Sequence, residues 1–503
     1  MINSRNLLII LALHISLQAQ GQADNLPKLL PKEIVSNTEE KETDNLTVLQ
    51  NNNSQENWSF FSDTSSNKGI SRFINALDLS GYFRTRFNYI RNGHLGTYVP
   101  SLGYGTSNIK PNAGLSENED QNNYSFNMRL KLDPTINVSE SIRVKSSINA
   151  FDNVILGSSP SSASLIDIKR LWGEINTPVG ELRFGRLPFH WGLGILYNSG
   201  DNINSNYGDQ VDGFLFSTRI FDHYLTPGYF ISSGGASTIN PSGQPTPIAP
   251  RHVTHTLSLS FLKRESDYSI AQKKFQGILI YNYGIFASYQ KQNFDSKAYK
   301  DSNIGTSSFW QALSYKTFHI ESEFLGVVGK EHNNKDSKIL QGGAALESRY
   351  GFLRDQLQLG LNLGIASHQT SSSDYKTNFM FNKAYTIDML MYKEVIGSVD
   401  STVYIKPHLS YFFSKNLGLR GDVISSLAPN GTSSPSGKNF LGLELDASIF
   451  ARSDSGLYFS TSYGVLFPFG LDHAKGNLSA ADYKIYGKAK TAQAINSYLG
   501  ITF

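Results

Sequence analysis

The chain contains no cysteine, which excludes disulfide staples, thiolate metal sites, thiol catalysis and a lipid-modified cysteine. No internal apolar run approaches the roughly 20 residues that a membrane helix needs. Charge is sparse at 17% of residues and nearly balanced, with 45 basic and 42 acidic side chains. Such a balance carries no electrostatic case for a nucleic-acid partner, and none is expected. What is present is aromatic residues (12%), many glycines (43) and many serines. Strands that alternate apolar and polar faces produce this composition, because each strand averages to neutral hydropathy and leaves no hydrophobic block.

The start is a short basic segment with Arg5, then a mostly apolar run from Leu7 to Leu17 broken only by His14 and Ser16. The run is too short to span a membrane and reads as a secretory signal peptide over 1–23, cleaved after Ala19 or after Ala23. Residues 24–70 are rich in Asn, Glu, Asp, Lys and Ser. Such a stretch cannot bury enough surface to offset its ordering entropy, so a disordered periplasmic segment is expected, with Trp58, Phe60 and Phe61 as a small aromatic cluster in it. The remainder, 71–503, is one domain of strands.

Alternation begins at Leu77, where Leu79, Phe83, Phe87 and Tyr89 share one parity and Ser80, Tyr82, Arg84, Arg86 and Asn88 the other. Tyr124 to Leu132 and Ile142 to Ile148 repeat the pattern. Leu357, Leu359, Leu361, Leu363 and Ile365, set against Gln358 and Asn362, form a strand with one wholly apolar face, and Leu441, Leu443, Leu445 and Ile449 form another. About eighteen such segments can be counted, including 275–290, 307–316 and 402–412. Their connections sort by length. One set is tight, as at Thr177–Gly180, Phe221–His223 and Ser414–Asn416. The other is long, as at 91–123, 152–164, 188–210, 368–401 and 468–490. Segregated loop lengths and an even strand count describe an all-β, transmembrane antiparallel β-barrel with short periplasmic turns and long extracellular loops. Roughly 16–18 strands enclose an aqueous lumen. The last strand runs from Thr491 and ends on Phe503, with Leu499 and Ile501 on the same parity. It resembles the closing strand of bacterial outer-membrane barrels, and the resemblance implies an assembly signal in Leu499, Ile501 and Phe503 that the barrel-assembly machinery reads.

On the first five strands the lumen parity is basic: Arg84, Arg86, Arg129, Lys131, Arg143, Lys145 and Arg183. Charges facing lipid would cost about 2–4 kcal/mol near midplane, which places this ladder inward. Lys169 and Arg170 are adjacent, so a bulge is expected there. Later strands contribute Glu321, Glu323, Asp422, Glu444 and Asp446. Two such arrays lining one channel would set a field across it and tune what passes. Between Gly180 and Gly194 lies the most distinctive stretch, a Leu-Arg-Phe-Gly-Arg run entering a Pro- and Gly-marked loop. It is similar to the porin pattern in which that loop folds into the barrel as a constriction. Here the loop would be 188–210, with His190, Trp191, Asp201 and Asp209 as its constriction residues and its polar groups facing the basic ladder.

Ile168–Glu174, Gly180–Gly194, Asn206–Asp212, Ala384–Asp388 and Val403–Pro407 resemble motifs of an uncharacterised family of predicted outer-membrane proteins from predatory and social Gram-negative bacteria. That resemblance implies a barrel of unknown cargo and supplies no catalytic residues. Asp201, Asn202, Asn204, Asn206, Asp209 and Asp212 lack the spacing of a calcium loop, with Gly208 two positions late and Asp212 in place of the closing Glu. Neither metal nor cofactor is expected. His408 with Ser410, and His319 with Glu321, share strand faces without the converging nucleophile, base and orienting group that an outer-membrane hydrolase needs. The expected function is passive diffusion of small hydrophilic solutes through an anion-leaning, porin-like channel. A plugged barrel acting as a surface adhesin is the alternative, and a hydrolase a weaker one. The expected partners are outer-membrane lipid, lipopolysaccharide, the assembly machinery and, as porins of this size often form, a homotrimer.

Overall fold

The computed structural model describes residues 76–97, 122–155, 166–232, 253–292, 302–332, 336–369, 375–474 and 478–503. The expected signal peptide (1–23) and periplasmic segment (24–70) lie outside the described residues. Nineteen strands follow in order: β1 (Leu77–Arg91), β2 (Asn122–Asn137), β3 (Ile142–Ile155), β4 (Ile166–Thr177), β5 (Gly180–Pro188), β6 (Gln210–Ile220), β7 (His223–Ser232), β8 (Thr254–Lys263), β9 (Ile280–Gln292), β10 (Ser302–Tyr315), β11 (Phe318–His332), β12 (Asp336–Phe352), β13 (Leu357–Ala366), β14 (Tyr375–Lys376), β15 (Val403–Ser414), β16 (Leu417–Leu427), β17 (Phe440–Arg452), β18 (Leu457–Phe467) and β19 (Ala492–Thr502). β14 is a two-residue piece lying parallel to β12, while β13 pairs directly with β15. The other eighteen form a closed antiparallel ring.

Closure is made by β1 and β19, in register from Tyr82 with Thr502 to Arg91 with Gln493. At its end the Gly81 N–H donates to the Phe503 carbonyl at 2.9 Å, and the Phe503 N–H donates back at 3.1 Å. Among the described residues no edge strand remains, which is what a backbone in hydrocarbon requires, because each unpaired N–H or C=O there costs several kcal/mol. The outward parity is apolar and exposed, as at Phe83, Phe126, Leu359, Ile405, Leu445 and Leu499, while Arg84, Asn127, Gln358 and Asn362 are buried inside. This is a transmembrane barrel by construction. Leu361→Arg, at the middle of β13, is expected to destabilise it by about 2–4 kcal/mol, and Leu357→Arg at the strand start by about 0–1. Urea unfolding in lipid vesicles measures both, and equal costs at the two depths would refute the assignment of this face to lipid.

Several expectations are corrected. The segment read as a strand over 275–290 begins only at Ile280, because helix α1 (Asp267–Phe275) precedes it and Gly277, at φ +66°, ends the helix. β10 starts at Ser302 rather than 307. β3 continues to Ile155 through a register break opposite Met128 and Leu130, where Phe151 and Asn153 adopt left-handed φ. Leu441, read as outward, is fully buried: a break in register between Ser426 and Leu427 leaves it as the extra residue and turns it inward. The bulge at Lys169–Arg170 falls where alternation slips, since Ser147 pairs with Arg170 and Ile148 with Ile168.

Candidate functional site: the occupied lumen

The inner wall around β1–β5 brings like charges together. Arg84 and Arg129 are direct cross-strand neighbours, an arrangement that destabilises a ladder unless it is compensated. Compensation comes first from the β3 irregularity. Arg84 Nη2 donates to Asn153 Oδ1 at 2.8 Å, Arg86 Nη2 to the same oxygen at 3.3 Å, and Arg129 Nε to Asp152 Oδ1 at 2.6 Å. The second source is the 188–210 loop. The carbonyl of Ile203 accepts from Arg84, that of Ser205 from Arg129 at 2.7 Å, and that of Ser199 from Arg170. Asp201 bridges Lys131 at 3.2 Å and Arg170 at 2.7 Å. Burial alone would raise the Asp201 carboxyl, but the adjacent Arg170 and Lys131 bring it down to about 2. The ladder therefore draws the loop inward through carbonyl oxygens and one carboxylate.

Lower on the same wall, Glu174 lies 3.0 Å from Lys145 and 3.6 Å from Arg183, which also pairs with Glu181. Arg143 is half-buried opposite Glu174 in register. Arg170, which binds Asp201 and the Ser199 carbonyl, joins the basic ladder although only its adjacency to Lys169 marked it in the sequence.

The other end of the loop is anchored by apolar packing. Phe189 and Trp191 are buried against Phe230 and Phe286, with Phe189–Phe230 centroids 5.2 Å apart and Trp191–Phe286 5.4 Å apart. Trp191 Nε1 donates to Ser308 Oγ at 3.1 Å. His190 turns back on its own loop, 3.1 Å from the Gly192 carbonyl. Of the polar loop residues expected to face the ladder, Asp201 does so, whereas His190 and Asp209 do not.

Asp209 joins a second element that the sequence reading left outside, the connection 368–401. Its residues 378–401 also enter the barrel, and Asn382 grips the first loop. The Asn382 N–H donates to the Ile195 carbonyl at 2.9 Å, and Asn382 Nδ2 donates to Asp209 Oδ2 at 2.5 Å and to the Leu196 carbonyl at 3.2 Å.

Two of the five expected acids, Glu323 and Glu444, hold these loops. Glu323 is fully buried, and one oxygen accepts from the N–H groups of Gly194 (3.1 Å) and Ile195 (3.3 Å). Glu444 is also fully buried and accepts from the N–H groups of Met389 (2.9 Å), Leu390 (2.7 Å) and Met391 (2.7 Å). A single π-helical turn begins there (Met391–Ile396), and Asp388 takes its next two N–H groups, Tyr392 at 2.7 Å and Lys393 at 3.1 Å. Opening donors of a helical turn have no internal partner, so carboxylates satisfy them well. A Cβ at Gly442 would meet the Phe467 carbonyl oxygen and Met391 Cε, each at 2.8 Å. Asp422 pairs with Arg420 at 2.9 Å and lies 3.6 Å from Lys406, and Asp446 faces Asp422 in register. Glu321 accepts from Trp310 Nε1 at 2.6 Å.

Ser314, His319 and Glu321 form a string, with Ser314 Oγ 2.7 Å from His319 Nδ1 and His319 Nε2 3.5 Å from Glu321. The second contact is at the limit of a hydrogen bond, and all three residues are buried in the wall. Asp212 leaves the acidic loop set altogether, facing outward in a two-bond pair with Arg186 at 2.7 and 2.8 Å. Leu499, Ile501 and Phe503 are exposed on the outer face of the closing strand.

The joint between the loops carries a pH dependence. Burial pushes the Asp209 carboxyl up to about 6, against the pull of the Asn198 N–H, Asn382 and Arg170. Undocked, it returns to the ordinary value near 3.8. Between these values the docked form binds more protons, so docking tightens as pH falls through this window and loosens as pH rises through 6. Hydrogen exchange at Asn198, whose N–H donates to Asp209, is expected to slow from pH 7 to pH 5, after correction for intrinsic rates, and Asp209→Asn is expected to abolish the difference.

No family model matches the chain, and no curated protein matches it. Among solved structures it is similar to OccAB3 of Acinetobacter baumannii, at 10% identity and a TM-score of 0.49, covering 85% of this chain and 100% of that one. It is also similar to OccK11 (OpdR) of Pseudomonas aeruginosa, at 10% identity and 0.48, covering 85% and 96%. The third is the outer membrane protein opdK of the same organism, at 10% identity and 0.46, covering 85% and 99%. These are likenesses of scaffold, and every residue role given for this chain rests on its own contacts.

Proposed function

We propose that the protein is a porin-like channel of the bacterial outer membrane that passes small hydrophilic solutes by diffusion and favours anions. The observation that carries this reading is the guanidinium cluster of Arg84, Arg86 and Arg129 beside an inward-folded loop. Of these three buried cations only Arg129 has an ion pair, with Asp152; Arg84 and Arg86 bond to the neutral Asn153, Glu394 being a further acid near Arg86, and their Nε donors have no partner among the described residues. Such unmatched positive potential raises the local concentration of anions and lowers that of cations. No chemical step is involved: solutes move down their gradient past groups that sort them by size and charge. Lys131, Arg143, Lys145 and Arg183 extend the ladder, with Glu321, Asp422 and Asp446 as its acidic counterpart. Export, insertion through the signal in Leu499, Ile501 and Phe503, contact with lipopolysaccharide and assembly as a homotrimer belong to the same reading.

Planar-bilayer recording of the purified protein tests it. Discrete conductance steps with a reversal potential on the anion side are expected in a salt gradient. A silent bilayer would remove the channel reading. Silence would instead favour a second one, a plugged barrel whose extracellular loops bind at the cell surface, which is supported by the bonding of two inward loops at Asn382.

A further inference from the structure

On the short-turn rim every connection is four residues or fewer except the one between Lys263 and Ile280, which carries α1. The helix is well made. Ser266 caps its start by accepting from the Ser269 N–H at 3.3 Å, and Glu265 holds Ser269 Oγ at 2.5 Å and Lys273. Its end is a Schellman closure, with the Gly277 N–H on the Lys274 carbonyl at 3.1 Å and the Ile278 N–H on that of Lys273 at 2.8 Å.

Nine residues in isolation would not hold a helix in water, and one side of this one is half-buried through Ser269, Ile270, Lys273 and Lys274. The other side is bare. Tyr268 is 78% exposed and Phe275 82%, seven residues apart and therefore on one stripe, with Ala271 and Gln272 between them. The chain then exposes Ile278 and Leu279 before entering β9, where Tyr281 and Ile285 continue outward beside Phe261 of β8. The apolar stripe of the helix is thus continuous in sequence with the outer wall of the barrel.

We propose that α1 is an interfacial anchor, lying in the periplasmic leaflet at the boundary of headgroups and acyl chains, with Tyr268, Phe275, Ile278 and Leu279 toward the acyl side. The inference rests on the barrel spanning a membrane. Its occupant is lipid rather than a periplasmic protein because the exposed residues prolong a face that already meets lipid. Aromatic side chains with a short polar helix behind them suit the interfacial zone.

Because the chain has no cysteine, single nitroxide labels give unambiguous positions. Tyr268→Cys, Phe275→Cys and Leu279→Cys would be labelled in full-length protein in phosphatidylethanolamine–phosphatidylglycerol vesicles, with Leu361→Cys as the mid-wall reference. Collision rates with oxygen, which concentrates in lipid, and with a water-soluble nickel chelate are then compared. The expected result is a several-fold preference for oxygen at all four positions, smaller at Tyr268 and Phe275 than at Leu361. Oxygen preference at Leu361 alone, with chelate access or shielding from both reagents at the helix, overturns the anchor and leaves the barrel in the membrane. Chelate access at Leu361 itself overturns the membrane reading and the anchor with it.

Discussion

Replacing Glu444 by alanine is expected to raise single-channel conductance and its fluctuation, with the folded barrel retained. The substitution removes one carboxylate and leaves the N–H groups of Met389, Leu390 and Met391 without their acceptor. Hydrogen bonds to a charged group contribute about 1.5–3 kcal/mol each, and buried donors left unpaired cost about 1–3 more. Offset by water entering beside the freed turn, a net change of ~3 kcal/mol shifts the docked-to-undocked ratio by roughly a hundredfold. The loop remains tied at Lys406, which donates to the Ile387 carbonyl at 2.5 Å, and at Tyr385, which donates to Glu347 at 2.8 Å. The effect is therefore flicker and a wider lumen rather than unfolding. Unchanged conductance, together with unchanged hydrogen exchange over residues 389–393, would show that this loop does not limit the channel. Glu444→Gln keeps an acceptor oxygen and should fall between the two.

A graded reversal of selectivity is the second large effect. Arg86 is the member of the ladder to alter, because its bond to Asn153 is long, while Arg84 and Arg129 also hold the loop. A unit charge ~6 Å from a permeating ion in a water-filled passage contributes about 0.7 kcal/mol, favourable to an anion and unfavourable to a cation, or roughly tenfold in permeability ratio. Arg86→Ala should shift the ratio toward cations by about that factor, and Arg86→Glu, a change of two charges, by about a hundredfold. Raising the salt from 0.1 M to 1 M, where the screening length falls to about 3 Å, should compress both shifts. Reversal potentials in a chloride gradient read all three. A ratio indifferent to Arg86 would mean that ions do not pass this wall, and the basic ladder would then be purely a scaffold for the loop.

The two effects divide along the line between what alternation reveals and what it hides. Parity gave Arg84, Arg86, Arg129 and Lys131 an inward direction, because a side chain on a strand has only two choices and lipid penalises one of them for a charge; the first three are buried and Lys131 half-buried. Parity also predicted inward acids at Glu323 and Glu444. It could not say that these two would be fully buried and committed to loop N–H groups, since their partners lie 129 and 53 residues away at Gly194 and Met391. The same limit applies to Asp152 and Asn153. They read as the start of an exterior loop, yet a break in β3 register carries them into the lumen against three arginines. Leu441 failed for a related reason: one extra residue reverses a face, and hydrophobicity does not report it.

A weaker signal for the second inward loop was available. Residues 378–400 contain Phe379, Phe381, Tyr385, Ile387, Leu390, Met391, Tyr392 and Val395, too apolar for a loop in water, and all of them are buried. An exterior loop of that composition would expose a large hydrophobic patch.

By itself the sequence determined that this is a closed antiparallel barrel, the approximate positions of its strands and, away from the register breaks, which of their faces meets lipid. Those properties follow from a local rule, a period of two imposed by apolar solvent on one side and a polar interior on the other, and the strand ending at Phe503 completes the ring that begins near Leu77. Only the tertiary structure decided what fills the ring. Whether a loop stands outside or folds in depends on a few carboxylates, carbonyls and aromatic rings meeting across the lumen. Those meetings are set by register and bulges summed around eighteen strands, which no local pattern encodes.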